Sequence, residues 1–346
     1  MARKILWASI ALAPITIFVD YVLHPGDVAL FLLSALALVP LAWLIGEATE
    51  HAAHHTGAGI GGFLNATFGN APELIIALFA VSSGLEEVVR GSLTGSVVGN
   101  LLLVLGFSLL FGGRGEIDRE SSYTSLVLIA IAALLFLVPS IPSWSGNPER
   151  HSLAILSIPI AIVLLFLYLV VTWIALRRHR ELHLREEPSD AAAWTLRTAL
   201  AVLAIATVAT AVIAEALVGS LETFAHSAGL SDFFVAAVIV AIVGNAAEHG
   251  GAVVVAYRGK IKLAAEIALA SSAQVAVFLI PAVALLSWAI DPLALSFRPV
   301  EIGVVGLAVA LTAVLLVQGR SSRARGVVLI AAYVLAALAF FFAGER

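Results

Sequence analysis

Polar residues are so sparse along this 346-residue chain that its hydrophobic pattern divides it into spans, not faces. Apolar runs of on the order of 20 residues, enough to cross the hydrocarbon of a bilayer, lie at 5–23, 28–50, 61–83, 89–111, 122–140, 152–176, 195–222, 232–256, 263–290, 299–318 and 326–343. The pattern predicts an all-α polytopic membrane protein with about eleven transmembrane helices. The first run is read as a membrane helix and not as a cleaved signal peptide, because it is long, is interrupted by Pro14 and Asp20, and is followed by no small-residue cleavage site.

Composition agrees with the pattern. The chain is 61% hydrophobic and 12% charged, with a mean hydropathy of +1.05, far outside the range of soluble globular domains. Cysteine is absent, which removes disulfides, thiolate metal sites and cysteine nucleophiles. The net charge of −4 says little, because the charges are sorted along the chain. With the N-terminus cytoplasmic, fifteen of the 19 Lys and Arg residues fall on the cytoplasmic side and only Arg90, Arg150, Arg298 and Arg346 fall outside, as cation retention in short loops requires.

Candidate chemistry enters through a motif that occurs twice. Gly69-Asn70-Ala71-Pro72-Glu73 and Gly244-Asn245-Ala246-Ala247-Glu248 each interrupt an apolar span. A carboxylate at bilayer depth costs roughly 3 kcal/mol on insertion scales, so it marks a functional site by default. The duplication extends outward: Glu47 and Glu222 each precede their glycine by 22 residues, and His51 and His226 match at the same offset. Downstream, Ser96 and Asn100 in the fourth span pair with Ser271, Ser272 and Gln274 in the ninth, with a register that slips by one, since Asn100 follows Glu73 by 27 residues and Gln274 follows Glu248 by 26.

A duplicated unit with an odd number of spans inserts its second copy upside down. The expected organisation is an extra first helix at 1–24, a five-helix repeat at 25–177, a charged cytoplasmic linker at 178–193 and an inverted five-helix repeat at 194–346. Secondary transporters place a substrate site at the midplane between such inverted halves. Within each half, Asn70 with Glu73 and Asn245 with Glu248 are spaced to share a helix face. Pro72 is expected to open the helix near Gly69. Two carboxylates with amide, hydroxyl and backbone oxygens, the last near Gly69 and Gly244, suit a hard divalent cation such as Ca²⁺.

Other polar groups carry two readings. Ser96, Ser271 and Ser272 are either ligands or small residues lining helix contacts. Glu47, Glu50, Glu215 and Glu222 are proton acceptors in a water-filled entrance or solvated helix ends, and His249, next to Glu248, either shuttles protons or packs. His179 and His183 in the linker lack the His-Glu-x-x-His arrangement of a metalloprotease and read as solvated charge.

The stretch Gly61-Gly-Phe-Leu-Asn-Ala-Thr-Phe-Gly-Asn-Ala-Pro-Glu-Leu-Ile75, with Val243-Gly-Asn-Ala-Ala-Glu-His249 and Ser271-Ser-Ala-Gln274, resembles the Ca²⁺/H⁺ exchangers of the cation/Ca²⁺ exchanger superfamily. The resemblance implies that Glu73 and Glu248 are central ligands, assisted by Asn70, Asn245 and oxygens from spans four and nine, and that Glu47, Glu50 and Glu222 help in proton exchange. Gly99 and Ala270 depart from it, standing where relatives often carry serine and glycine, and the linker is mixed in charge where some relatives are strongly acidic.

The expected activity is antiport of Ca²⁺ against H⁺ by alternating access, the two ions competing for one pair of carboxylates. A Na⁺(K⁺)/H⁺ or Na⁺/Ca²⁺ exchanger of the same architecture is the alternative. An intramembrane hydrolase is disfavoured, since no Gly-x-Ser-x-Gly or His-Glu-x-x-His is present. No cofactor is expected, Ca²⁺ being the transported substrate. The partners are then Ca²⁺, H⁺ and the lipid bilayer, with no nucleic acid, and a homo-oligomer is compatible. The location is a cell membrane, the plasma membrane if the source is prokaryotic.

Overall fold

A computed structural model describes residues 2–182 and 194–345. Residues 183–193, including His183, and the side chains of His54 and His179 lie outside the described residues, and with them most of the predicted linker. The chain runs through twelve helices that matter here: α1 (Leu6–Leu23), α2 (Asp27–Phe68), α3 (Ala71–Ser82), α4 (Glu86–Gly112), α5 (Arg119–Ser143), α6 (His151–Leu182), α7 (Leu196–Ala228), α8 (Asp232–Gly244), α9 (Ala246–Tyr257), α10 (Ile261–Ala289), α11 (Pro299–Leu316) and α12 (Arg323–Ala343). Among the described residues no strand forms; one isolated bridge joins Glu116 to Arg320. With no water in hydrocarbon to satisfy backbone groups, continuous helices are the expected outcome.

Among the described residues nine helices are long and apolar enough to cross a membrane, and the bent pair α8–α9 supplies a tenth span. The predicted third span, 61–83, does not exist as one helix. Its first half is the end of the 42-residue α2, its second half is the 12-residue α3, and a turn at Gly69-Asn70 separates them. The loop expected between spans two and three is also absent, for α2 runs straight through His51-Ala-Ala-His-His-Thr56. Alanine there favours helix, and the glycines at 57–62 cost helix stability without forbidding it.

The interior is built around α4 and α10, whose apolar windows are 83% and 67% buried, whereas α1, at 11%, lies at the edge. Both central helices carry a π-helical turn at matching places, Gly99–Val104 in α4 and Val275–Leu279 in α10, and α8 carries a third at Val235–Val240. Such turns insert one residue per turn and cluster at functional sites. α4 crosses α8 at very short range. A Cβ added at Gly95 would lie 1.9 Å from the Ala237 carbonyl oxygen, and one at Gly91 would lie 3.0 Å from the Phe233 ring. Glycine is required at Gly95 because backbone, not a movable side chain, fills the space.

α2 and α7 are antiparallel neighbours. Thr223 Oγ1 donates to Asp27 Oδ2 at 2.9 Å, and Phe31 stacks on Phe224 at 4.2 Å, at one end. His51 stacks on Trp194 at 4.5 Å and His55 Nε2 lies 2.7 Å from the Trp194 carbonyl at the other.

Candidate cation site

Each motif sits at a helix break. Asn70 closes the turn before α3 with φ −99° and ψ 13°, and Asn245 joins α8 to α9 with φ −90° and ψ 8°. The α8–α9 pair bends by 58° there. Pro72 falls inside the first turn of α3, where a missing N–H costs nothing because that donor has no helical partner. The expectation that each Asn and Glu share the face of one continuous helix is therefore corrected: the asparagine is the break and the glutamate lies in the first turn after it. Helix amides point their positive end toward that turn, which favours a negative group there.

The asparagine side chains do not cap their helices. They reach across the molecule. Asn70 Nδ2 donates to Gln274 Oε1 at 3.4 Å. Asn100 Nδ2 donates to Asn245 Oδ1 at 3.3 Å and to Ser271 Oγ at 3.0 Å. Asn245 Nδ2 donates to Ser96 Oγ at 2.8 Å and to the Ala241 carbonyl at 2.9 Å. The amides of the first motif and of α4 thus pair with those of α10 and of the second motif. Gln274 stands one residue earlier in its helix than Asn100 does, immediately before the π turn instead of inside it, and carries one more methylene.

Glu73 is 7% exposed. A Cβ added at Gly244 would lie 3.2 Å from Glu73 Cγ, so this glycine lets the carboxylate of the first motif stand against the second break. Glu73 Oε2 is buried without a hydrogen-bond partner. Beside it a small cavity of about 10 Å³, lined by Glu73, Ile76, Ser92, Leu93, Ser96, Val240 and Ala241, has room for about one water-sized particle. Glu248 is half-buried, and Ser271 Oγ donates to its Oε2. Ser272 and Ser96 also spend their hydroxyls on backbone, Ser272 on Val97 at 3.0 Å and Ser96 on Ser92 at 2.9 Å. Gly69 is half-buried in the first turn and Gly244 is buried at the second break.

The sequence-selected residues of the outer shell scatter. Glu47 is half-buried and lies 3.7 Å from His51 Nε2; Glu50 and Glu222 are exposed. Glu47 and Glu222 lie near opposite ends of the antiparallel α2–α7 pair, Glu47 one turn from His51 and Glu222 beside Thr223. His249 is half-buried, with Nε2 enclosed and unpartnered. Glu215 lines a separate cavity of about 400 Å³ with Asp20, His24 and Asp27. Residues the sequence reading passed over as site elements are Thr94, Arg90, Glu149, Arg298 and Glu301, all packed at one end of α4 and α11. A buried arginine in an apolar span was the available signal, and it served only to orient the chain.

Two broken helices that carry carboxylates at their breaks, set against two central helices with π turns, define a multi-pass integral membrane ion transporter. The chain belongs to the family described as Sodium/calcium exchanger protein, whose profile matches residues 27–177 and 198–342. It is 35% identical, over 92% of both chains, to a protein of Aphanothece halophytica named Ca(2+)/H(+) antiporter, and 38% identical to the Ca(2+)/H(+) antiporter ChaA of Bacillus subtilis over 92% of this chain and 93% of that one. Its structure matches that of native YfkE with a TM-score of 0.83 at 34% identity, covering 97% and 99% of the two chains. An H+/Ca2+ exchanger CAX structure, 16% identical, shares the fold with a TM-score of 0.73.

Proposed function

We propose that this protein is a secondary active antiporter that exchanges Ca²⁺ for H⁺, with Glu73 and Glu248 binding either the cation or protons. The observation that carries the reading is the crossing of two carboxylate-bearing helix breaks through Asn70–Gln274 and Asn100–Asn245. Curated relatives named Ca(2+)/H(+) antiporters, at 35% and 38% identity over most of the chain, support it.

Among the described residues no group of three or more His, Asp or Glu could hold a metal. A divalent ion between Glu73 and Glu248 therefore takes its further oxygens from Asn70, Asn245, Asn100, Gln274, Ser96, Ser271, the carbonyls near Gly69 and Gly244, and water. This is a donor set for a hard cation that needs six to eight oxygens. Ser272, bonded to Val97, supports the crossing of α4 and α10 and is the weakest ligand of the set. With the ion gone, two carboxylates in a poorly hydrated site repel each other, and protons neutralise them. Only the loaded or protonated site then crosses between the two sides, which couples the two flows. Glu47 and Glu222, near opposite ends of the α2–α7 pair, hand protons to and from water, with Glu50 and His249 assisting.

The same reading sets the N-terminus in the cytoplasm, places α1 outside the repeats, and divides the rest into units at 25–177 and 194–346 joined by the linker at 178–193. No cofactor and no bond-breaking chemistry are part of it. The test is radioactive Ca²⁺ uptake into proteoliposomes under an imposed pH gradient without Na⁺. Uptake abolished by a protonophore is expected. Uptake that starts only when a Na⁺ or K⁺ gradient replaces the pH gradient would reassign the coupling ion.

A further inference from the structure

At the start of α4, outside the carboxylate pair itself, lies a second set of buried charges that joins residues before 150 to residues after 290. Arg90 is 1% exposed, the largest of the fully buried side chains among the described residues. Its guanidinium donates to Glu149 Oε1 at 2.6 Å and Oε2 at 3.3 Å, and to the Ala294 carbonyl and Ser296 Oγ, both at 3.4 Å. Glu87, one turn earlier, lies 3.5 Å from Arg90 and 3.7 Å from Arg298. Arg298 donates to the Gly344 carbonyl at 2.9 Å and lies over the Phe233 ring at 3.6 Å. Glu301, also buried, accepts from the Arg298 backbone N–H at 2.6 Å and from Thr94 Oγ1 at 3.1 Å.

Both chains of contact end on α4 within a turn or two of the cation site. Thr94 precedes Ser96 by two residues, and Ser96 accepts from Asn245. Phe233 is the side chain that packs on Gly91, where α4 crosses α8. Arg298, by holding Phe233, and Glu301, by holding Thr94, fix α4 against α8 and α11.

The opposite face carries a related contact with its charges reversed. Lys262 follows Glu87 by 175 residues, the interval that also separates Glu248 from Glu73. It pairs at 3.0 Å with Asp118, the residue that caps α5 as Arg298 precedes α11. That pair is largely exposed, with Lys262 at 59%, where ion pairs contribute little.

We propose that Arg90, Arg298, Glu301 and Thr94 are positioning residues for cation binding: the buried network sets the α4–α8 crossing that holds Ser96 against Asn245, and the exposed Lys262–Asp118 pair does not share this role. The inference rests on the Ca²⁺/H⁺ reading for its choice of ion and on the geometry for the rest. Thr94→Val keeps shape and removes one donor; Arg90→Lys keeps charge and loses the two-pronged contact.

The test is the Ca²⁺ concentration dependence of uptake in proteoliposomes for wild type, T94V, R90K, the double variant and D118N. T94V and R90K are each expected to raise KM for Ca²⁺ about five- to tenfold, the scale of one ordinary intramolecular hydrogen bond, with kcat within about twofold. The double variant is expected to be no worse than about twofold beyond the larger single effect, since members of one network are not additive, and D118N is expected to be unchanged. Unaltered KM in T94V and R90K, effects that multiply in the double variant, or an equal shift in D118N would each overturn the proposal. Should R90K lose its monodisperse gel-filtration peak, the KM of the neutral, isosteric T94V decides alone. A wild type that carries Na⁺ instead of Ca²⁺ defeats the functional reading and not this one, which is then read from the KM for Na⁺.

Discussion

Glu73 and Glu248 occupy the same place in their motifs, the first turn of the helix after a break, yet their surroundings differ. Glu73 is 7% exposed and has one oxygen without a partner; Glu248 is half-buried and accepts from Ser271. The serines are equivalent too, Ser96 preceding Ser271 by the same 175 residues. Ser96, however, donates to the Ser92 carbonyl and accepts from Asn245, and it lines the small cavity beside Glu73 instead of bonding to it. Duplicated sequence therefore does not give duplicated environment. One carboxylate is tied and the other borders a space about one water across.

The largest effect that can break this comparison is loss of either charge. Glu73→Gln and Glu248→Gln are each expected to lower exchange by at least about 100-fold while leaving a monodisperse protein, as measured by uptake and gel filtration; proton-driven uptake retained in one variant would remove that carboxylate from the mechanism and with it the shared pair. Next comes the crossing on which both half-sites hang. Gly95→Ala drives a Cβ to 1.9 Å from the Ala237 oxygen and is expected to destabilise by about 2–3 kcal/mol, as overpacking of a tight contact does. Thermal unfolding in detergent reads it, and a wild-type midpoint would mean that the helices separate freely there.

The tied and untied serines sharpen the comparison. Ser271→Ala is expected to raise KM for Ca²⁺ by about tenfold, the loss of a hydrogen bond to a charged group, and Ser96→Ala by less, because its hydroxyl is spent elsewhere. Equal effects would mean that Ser96 turns to Glu73 when the cation arrives. The smallest effect belongs to the exposed face. Lys262 and the Ser121 N–H hold the Asp118 carboxyl below the usual carboxylate range, so its stabilisation is present at neutral pH and fades as the pH falls through and below that range. Asp118→Asn should shift the unfolding midpoint by no more than about 1 °C at neutral pH, and still less at low pH.

How much of this was legible in the sequence depended on separation along the chain. Gly69-Asn70-Ala71-Pro72 announces its break, because proline and glycine act on the local backbone. The second break has no proline, and its bend at Asn245 was legible only through the repeat. The continuous run of α2 through residues 51–60 reads as a loop in the hydropathy pattern, because hydropathy drops there while alanine-rich helix propensity does not. The amide crossings Asn70–Gln274 and Asn100–Asn245 span 204 and 145 residues, and Arg90 finds Ser296 across 206. Periodicity carries no information over such distances, so Arg90 reads in the sequence as a sign of orientation, whereas in the fold it bonds to Ala294 and Ser296.

The most direct test of the central claim, that Ca²⁺ and protons compete for one pair of carboxylates, is proton release on Ca²⁺ binding, measured by titration calorimetry in buffers of different ionisation enthalpy. Wild type is expected to release up to about two protons per Ca²⁺, Glu73→Gln and Glu248→Gln fewer, and the double variant none. Ca²⁺ binding with no proton released, or release unchanged in the double variant, would contradict it.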